Sequence, residues 1–249
     1  MLAVQIILHS IRLILRNWRS LLQIFAVPLA LLIISAIVGQ NYMREMMEQS
    51  RPASQISVGP VMLGNLAAVL AFLWAAVAWH RFVLLNERPA PLPPVRPMRI
   101  LAYLGYTLLI ALMLAALLFP AMFLVGAIAS GSPLSARVIL LVFLTAASTL
   151  ALRLAVALPG VAIGEPQPLQ RALVATSGTW GTLALIVIVG IVVENLLGTL
   201  LVQLALKLGS EGATTMAVIA GLRDGLGTML SLSVLTTLHG YYVQGRSLG

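Results

Sequence analysis

Six apolar runs, each long enough to cross a bilayer and each bounded by proline, glycine or charge, constrain this chain more than any other feature. A hydrocarbon core of about 30 Å takes about 20 helical residues. Inside it every backbone N–H and C=O has to be paired within the segment, and runs that are continuously apolar rather than alternating satisfy this only as helices. The runs predict spans at 21–40, 60–80, 100–129, 135–158, 179–206 and 222–243. Of the 249 residues, 60% are hydrophobic and 9% charged, against about 25% charged in a soluble domain. That balance excludes a water-soluble fold. The expected fold class is an all-α, polytopic membrane protein with six transmembrane helices. Pro28 and Pro120 fall inside spans, where a missing ladder hydrogen bond predicts a kink.

The sequence preceding the first span, MLAVQIILHSIRLILRNWRS, has a different pattern. Gln5, His9, Arg12, Arg16 and Arg19 recur at helical spacing, and Ile7, Leu8, Ile11, Ile14, Leu15 and Trp18 cover the remainder. This predicts an amphipathic helix lying in the membrane interface over residues 1–19, followed by a six-helix domain over 20–249. Orientation follows from the arginines and lysines, which concentrate on the cytoplasmic side. A cytoplasmic N-terminus puts Arg12, Arg16, Arg19, Arg81, Arg88, Arg96, Arg99, Arg153, Arg171 and Arg246 inside, ten of the 15 basic residues. Both termini are then cytoplasmic. The net charge of +8 is explained by this topology, and no nucleic-acid motif accompanies it. Arg12, Arg16, Arg19, Arg81, Arg88, Arg96 and Arg99 are the expected contacts to anionic lipid headgroups.

The segment HRFVLLNERPAPLPPVRPM holds five prolines and three arginines in nineteen residues, which predicts a stiff, extended connector. Val83-Leu84-Leu85-Asn86-Glu87 has a loose echo in Val161-Ala162-Ile163-Gly164-Glu165, a faint sign of a duplicated hairpin. Beyond the echo, LRLAVALPGVAIGEPQPLQRALVATSGTWGTLAL carries an Arg near a span end, a Pro, a Gly-Glu turn, Leu-x-x-Ala-Leu and Ser-Gly-x-Trp-Gly. This stretch resembles the YciC-like and glycerophosphodiester-phosphodiesterase membrane-domain group of bacterial inner-membrane proteins. AVAWHRFVLLNERP looks like the second-helix exit of its alphaproteobacterial members. The resemblance implies a bacterial inner-membrane location and a six-helix layout. It implies no phosphodiesterase activity, because the soluble domain of those relatives has no counterpart here.

No catalytic constellation is legible. His9, His80 and His239 lack metal-ligand spacing, Gly-x-Ser-x-Gly and phosphate loops are absent, and no cysteine is available as nucleophile or ligand. The three histidines are expected near the inner face with their rings solvated. No cofactor or metal is expected. The strongest functional lead is Glu194, inside IVGIVVENLLGTLLVQL. Counted from Trp180 at about 1.5 Å per residue it lies about 21 Å into the membrane, in the outer half. A charge there costs about 2.5 to 3.5 kcal/mol and needs a partner. The same counting places Arg223 about 6 Å further out, which predicts an intramembrane polar cluster of Glu194, Asn195, Arg223 and Asp224, with Glu194 paired to Arg223. Two function classes stay open on these residues. One is a non-enzymatic accessory or organising protein that contacts lipid and membrane-protein partners. The other is a small-solute or lipid transporter that uses the cluster around Glu194. Gly64, Ala67, Ala68, Ala71, Ala75, Gly221 and Gly225 are expected to let helices approach closely.

Overall fold

The computed structural model describes residues 1–47, 58–87, 93–129, 133–207 and 212–248. The described residues are almost wholly helical and include no strand. Six helices are long and apolar enough to span a membrane, and the chain is a multi-pass membrane protein. In chain order the elements are α1 (Leu2–Arg16), α2 (Trp18–Met47), α3 (Gly59–Leu85), α4 (Pro97–Ala129), α5 (Pro133–Ala155), α6 (Ala157–Ile163), α7 (Pro168–Ala175), α8 (Trp180–Lys207) and α9 (Ala213–Leu238). A π-helical turn, His239–Val243, continues α9.

Several boundaries differ from those the apolar runs predict. The last span begins nine residues before the expected position 222, because Ala213–Gly221 is helical, continues without a break into the rest of α9 and packs on α2 through Gly221. The fourth span stops at Ala155 and resumes as the short α6, with Val156 between them. Both α2 and α4 run as single helices through Pro28 and Pro120.

Helix α2 packs along α3 and α9, α4 packs on α5, and α8 bridges α5 and α9. Glycine makes the closest of these contacts possible. A methyl group at Gly64 would lie 2.9 Å from the Ser35 Oγ, and one at Gly221 would lie 2.9 Å from Ile33 Cγ1 and 3.2 Å from its Cα. Gly225 rests on Leu29 in the same way. Gly221 and Gly225 of α9 therefore both face α2, as their spacing of four requires.

Packing is unequal along the bundle. One end, carrying Trp18, Leu85, Pro97, Trp180 and the π-turn, buries large side chains: Ile24, Phe25, Trp79, His80, Leu183, Leu238 and His239. Towards the other end the buried positions are small, such as Ser35, Ala68, Ala205 and Ala217. We call these the packed end and the open end. Exposed Leu, Val, Met and Phe side chains dominate the outer surfaces of α4, α5 and α8, the composition a helix presents to hydrocarbon rather than water.

The N-terminal helix is separate from α2, broken at Asn17, whose side-chain amide donates to the Leu13 carbonyl at 2.8 Å. It packs across α9 and α8 through Ala3, Ile6 and Ser10. Gln5, Arg12 and Arg16 are exposed, and so are Val4, Leu8, Ile11 and Leu15. Its surface thus has three faces, a docked one, a polar one and an apolar outward one, where two are legible in the sequence.

Candidate functional site

Two polar groups of residues stand out, one at each end. The packed end holds a buried hydrogen-bond network centred on the two histidines that the sequence leaves unpartnered. His80 of α3 is fully buried. Its Nδ1 lies 2.8 Å from Thr236 Oγ1 and its Nε2 lies 3.2 Å from the Tyr103 hydroxyl. The Thr236 hydroxyl donates its only proton to the Leu232 carbonyl at 2.7 Å, so toward His80 it is an acceptor. The Nδ1 therefore carries the proton, and the neutral ring accepts from Tyr103 O–H at Nε2. Each member of this chain is satisfied in one direction only.

His239, also fully buried, donates from Nδ1 to the Val156 carbonyl at 2.9 Å. Its Nε2 faces Glu165 Oε2 at 3.4 Å, within ion-pair distance but without hydrogen-bond geometry. Glu165 also accepts from Gln244 at 2.9 Å and from Arg171 at 3.2 Å. Burial raises the pKa of Glu165, but the Gln244 hydrogen bond, His239 and Arg171 outweigh it and hold the carboxyl below its ordinary value. The expectation of solvated histidine rings is therefore overturned for His80 and His239. Both rings sit fully buried where helices converge: both nitrogens of His80 and the Nδ1 of His239 are hydrogen-bonded to protein, and the His239 Nε2 faces Glu165. His9 is half-buried on α1.

The echo between 83–87 and 161–165 has a geometric counterpart. Asn86 caps α3 with φ 54° and Gly164 caps α6 with φ 83°, and each left-handed residue turns the following glutamate back onto the bundle. Glu87 receives a bidentate grip from Arg81, with Nε to Oε2 at 3.0 Å, and a longer contact from Arg96 at 3.3 Å. The Arg81 hydrogen bond holds Glu87 below the ordinary carboxyl range. Arg81 also donates to the Ala162 carbonyl at 3.1 Å, joining α3 to α6. Pro93 is buried beside this pair and anchors the proline-rich connector to the bundle at that point, while Pro94 to Met98 are exposed.

This corrects one expected headgroup contact. Arg81 is only 9% exposed, and its guanidinium is spent on Glu87 and Ala162. Arg12, Arg16, Arg19, Arg96 and Arg99 are exposed at the packed end, and Arg88 lies outside the described residues. Arg153, Arg171 and Arg246 complete the layer. Arg153 donates to Thr176 and the Leu173 carbonyl and lies over the Trp180 ring, and Arg246 donates to the Leu84 carbonyl at 2.6 Å.

At the open half, α8 and α9 bring the four cluster residues to one helix pair without joining them. Glu194 and Arg223 are exposed and form no ion pair with each other, contrary to the expected pairing. Each lies instead against a glycine of the other helix. A methyl group at Gly227 would sit 3.1 Å from Glu194 Oε1, and one at Gly198 would sit 3.1 Å from Arg223 Nε. The two contacts are one helical turn apart on both helices, about 6 Å along the pair, and each charged side chain is turned to the glycine of the other helix rather than to the opposite charge. Among the described residues, neither side chain has a hydrogen bond or ion pair. Glu194, Arg223 and Asp224 line one groove of about 350 Å³. Asn195 lines the groove on the opposite face, with Arg223 reaching both. Its amide donates to the Ile191 carbonyl at 2.8 Å, within its own helix. Of the hydroxyls of Ser231, Ser233, Thr236 and Thr237 on α9, those of Ser233 and Thr236 are buried and donate to carbonyls four residues back, that of Thr237 is buried and accepts from Ser10, and only that of Ser231 faces the groove.

The fold and these two sites define an all-α, multi-pass membrane protein with a pinned polar layer at one end and unpaired charges in open grooves toward the other. No protein-family model matches the chain, and no curated protein or solved structure is similar to it.

Proposed function

We propose that this chain is a non-enzymatic accessory or organising protein of a bacterial inner membrane, with both termini and the packed end cytoplasmic. The group resemblance noted in the sequence is part of the same reading. One observation carries it: among the described residues, Arg12, Arg16 and Arg99 at the packed end have no ion pair or hydrogen bond, while the acids of that end, Glu87 and Glu165, are already engaged by Arg81, Arg96 and Arg171. A surface whose own carboxylates are committed presents its remaining arginines to anions from outside. Each arginine near an anionic surface contributes about 1 kcal/mol, enough in sum to recruit anionic headgroups and acidic segments of membrane proteins. The amphipathic α1 extends that basic surface.

The test is purification in mild detergent of the chain and of a variant with Arg12, Arg16 and Arg99 replaced by Gln. The chain is expected to bring down anionic lipid or a stoichiometric membrane-protein partner, and the variant to lose it. Equal recovery from both overturns the reading.

A second reading, a lipid or small-solute transporter, is favoured by the open grooves that hold Glu194. Flux into vesicles that Glu194→Gln abolishes without unfolding the chain is the result that replaces the first reading with the second.

A further inference from the structure

Two of the grooves are parts of one furrow. The first, about 450 Å³, is walled by Ser148, Ala151 and Leu152 of α5, by α8 from Ile186 to Glu194 and by α9 from Leu230 to Leu235, and it is closed at the packed end by Ile7 and Ile11 of α1. The second continues past Glu194 and Ser231, which line both, to Thr228, Asp224 and Arg223. Along α8 the furrow runs from Ile186 to the level of Gly198, about 18 Å at 1.5 Å per residue. Its deep part is nearly all apolar and its outer part is polar. The surrounding surface is exposed Ile188, Val192 and Leu196, which faces hydrocarbon. Whatever fills the furrow therefore enters from the bilayer and is itself amphiphilic.

We propose that the furrow holds one zwitterionic aminophospholipid from the leaflet at the open end, with an acyl chain against α5, α8 and α9 down to α1 and the headgroup at Arg223 and Asp224. Three features carry this. Arg223 stands eighteen residues before Tyr241 of the π-turn, about 27 Å toward the open end, which is near the far edge of a core of about 30 Å, from where an arginine side chain reaches the headgroups. It is a guanidinium without an anion among the described residues, and its planar fork matches a phosphate. Asp224 is adjacent, exposed and equally unpaired, so it repels a second negative charge and accepts from an ammonium. The pair thus selects a headgroup carrying both signs. Ser231, at the junction, meets the ester and glycerol region, where its hydroxyl can donate to an ester carbonyl. The assignment concerns occupancy and stands whether or not the lipid is then moved, so it does not rest on either functional reading.

Gly190 makes the test clean. It lines the deep part of the furrow, and a methyl group there would touch nothing within 4 Å, so a larger side chain fills the furrow without displacing the fold. Nanodiscs containing equal parts of ethanolamine, choline and glycerol phospholipids are the probe, with tightly retained lipid read by native mass spectrometry and melting temperature recorded in parallel. The chain is expected to retain one ethanolamine phospholipid. Gly190→Phe is expected to lower retention about tenfold with melting unchanged, Arg223→Gln to lower it about tenfold, and Asp224→Asn to erase the preference over the glycerol headgroup. If Gly190→Phe does not fold, Ala151→Leu narrows the same furrow from α5. Undiminished retention in a folded, furrow-filled variant overturns the proposal. So does a dimer that Gly190→Phe dissociates, since a second copy would then be the occupant.

Discussion

The directional hydrogen bonds of His80 give a sharp prediction. In the structure the chain runs Tyr103 O–H to Nε2, Nδ1–H to Thr236 and Thr236 O–H to the Leu232 carbonyl. Thr236→Val keeps the shape and strands the Nδ1–H in a place where His80 and Thr236 are 0% and 1% exposed. A buried donor left without a partner costs about 1 to 3 kcal/mol. For a chain of this size each kcal/mol moves the midpoint about 2 to 4 °C, so the loss is about 2 to 12 °C. Tyr103→Phe removes a longer bond, 3.2 Å, and strands an acceptor, which native interiors tolerate better than a stranded N–H. It is expected to cost less than Thr236→Val. Thr236→Ser keeps the acceptor and loses only a methyl, about 0.8 kcal/mol. Thermal unfolding in detergent, followed by fluorescence size exclusion, ranks the three. If Tyr103→Phe proves the costliest, the ring has the opposite tautomer, and if Thr236→Val is neutral, the network contributes nothing.

Glu165 and Glu87 have pKa values held below the ordinary 4.5, so the stability they contribute is complete above about that pH and is lost as pH falls through their lowered values. Acid titration of unfolding is expected to show that loss in the chain, and Glu165→Gln to reduce it; an identical acid slope in both refutes the coupling. Gly221→Ala pushes a methyl into the backbone of Ile33 and is expected to cost about 1 to 3 kcal/mol, while Gly181→Ala, which meets nothing within 4 Å, is expected to be neutral in the same melt. Reporter fusions after Arg99 and at the C-terminus are expected to give cytoplasmic signals, and a periplasmic signal at either site reverses the proposed orientation.

The apolar runs by themselves determined the fold class, because hydrocarbon leaves a polypeptide one way to pair its backbone in a single segment. Gly221 and Gly225 of α9 are equally legible: spaced by four, they mark the face that meets α2. The axial offset between Glu194 and Arg223, one helical turn, also follows from residue counting, since rise per residue is fixed by local geometry. What the count could not give is their azimuth. The interdigitation of α8 with α9 sets each charge against a glycine and turns both to open grooves instead of to each other. The polar layer at the packed end was illegible for a related reason. Residues as far apart in the chain as His80 and Thr236, or Glu165 and Gln244, become partners only when α3, α6, α9 and the π-turn converge. A buried histidine and a solvated one have the same sequence signature, because burial is a property of the neighbours that packing brings. The final start of α9 at Ala213 shows the same principle in secondary structure. Its first turns, Ala213 to Ala220, are a short apolar run set off from the rest of the span by Gly221, Arg223 and Asp224, and they are helical and continuous with it where Gly221 lets them lie against α2.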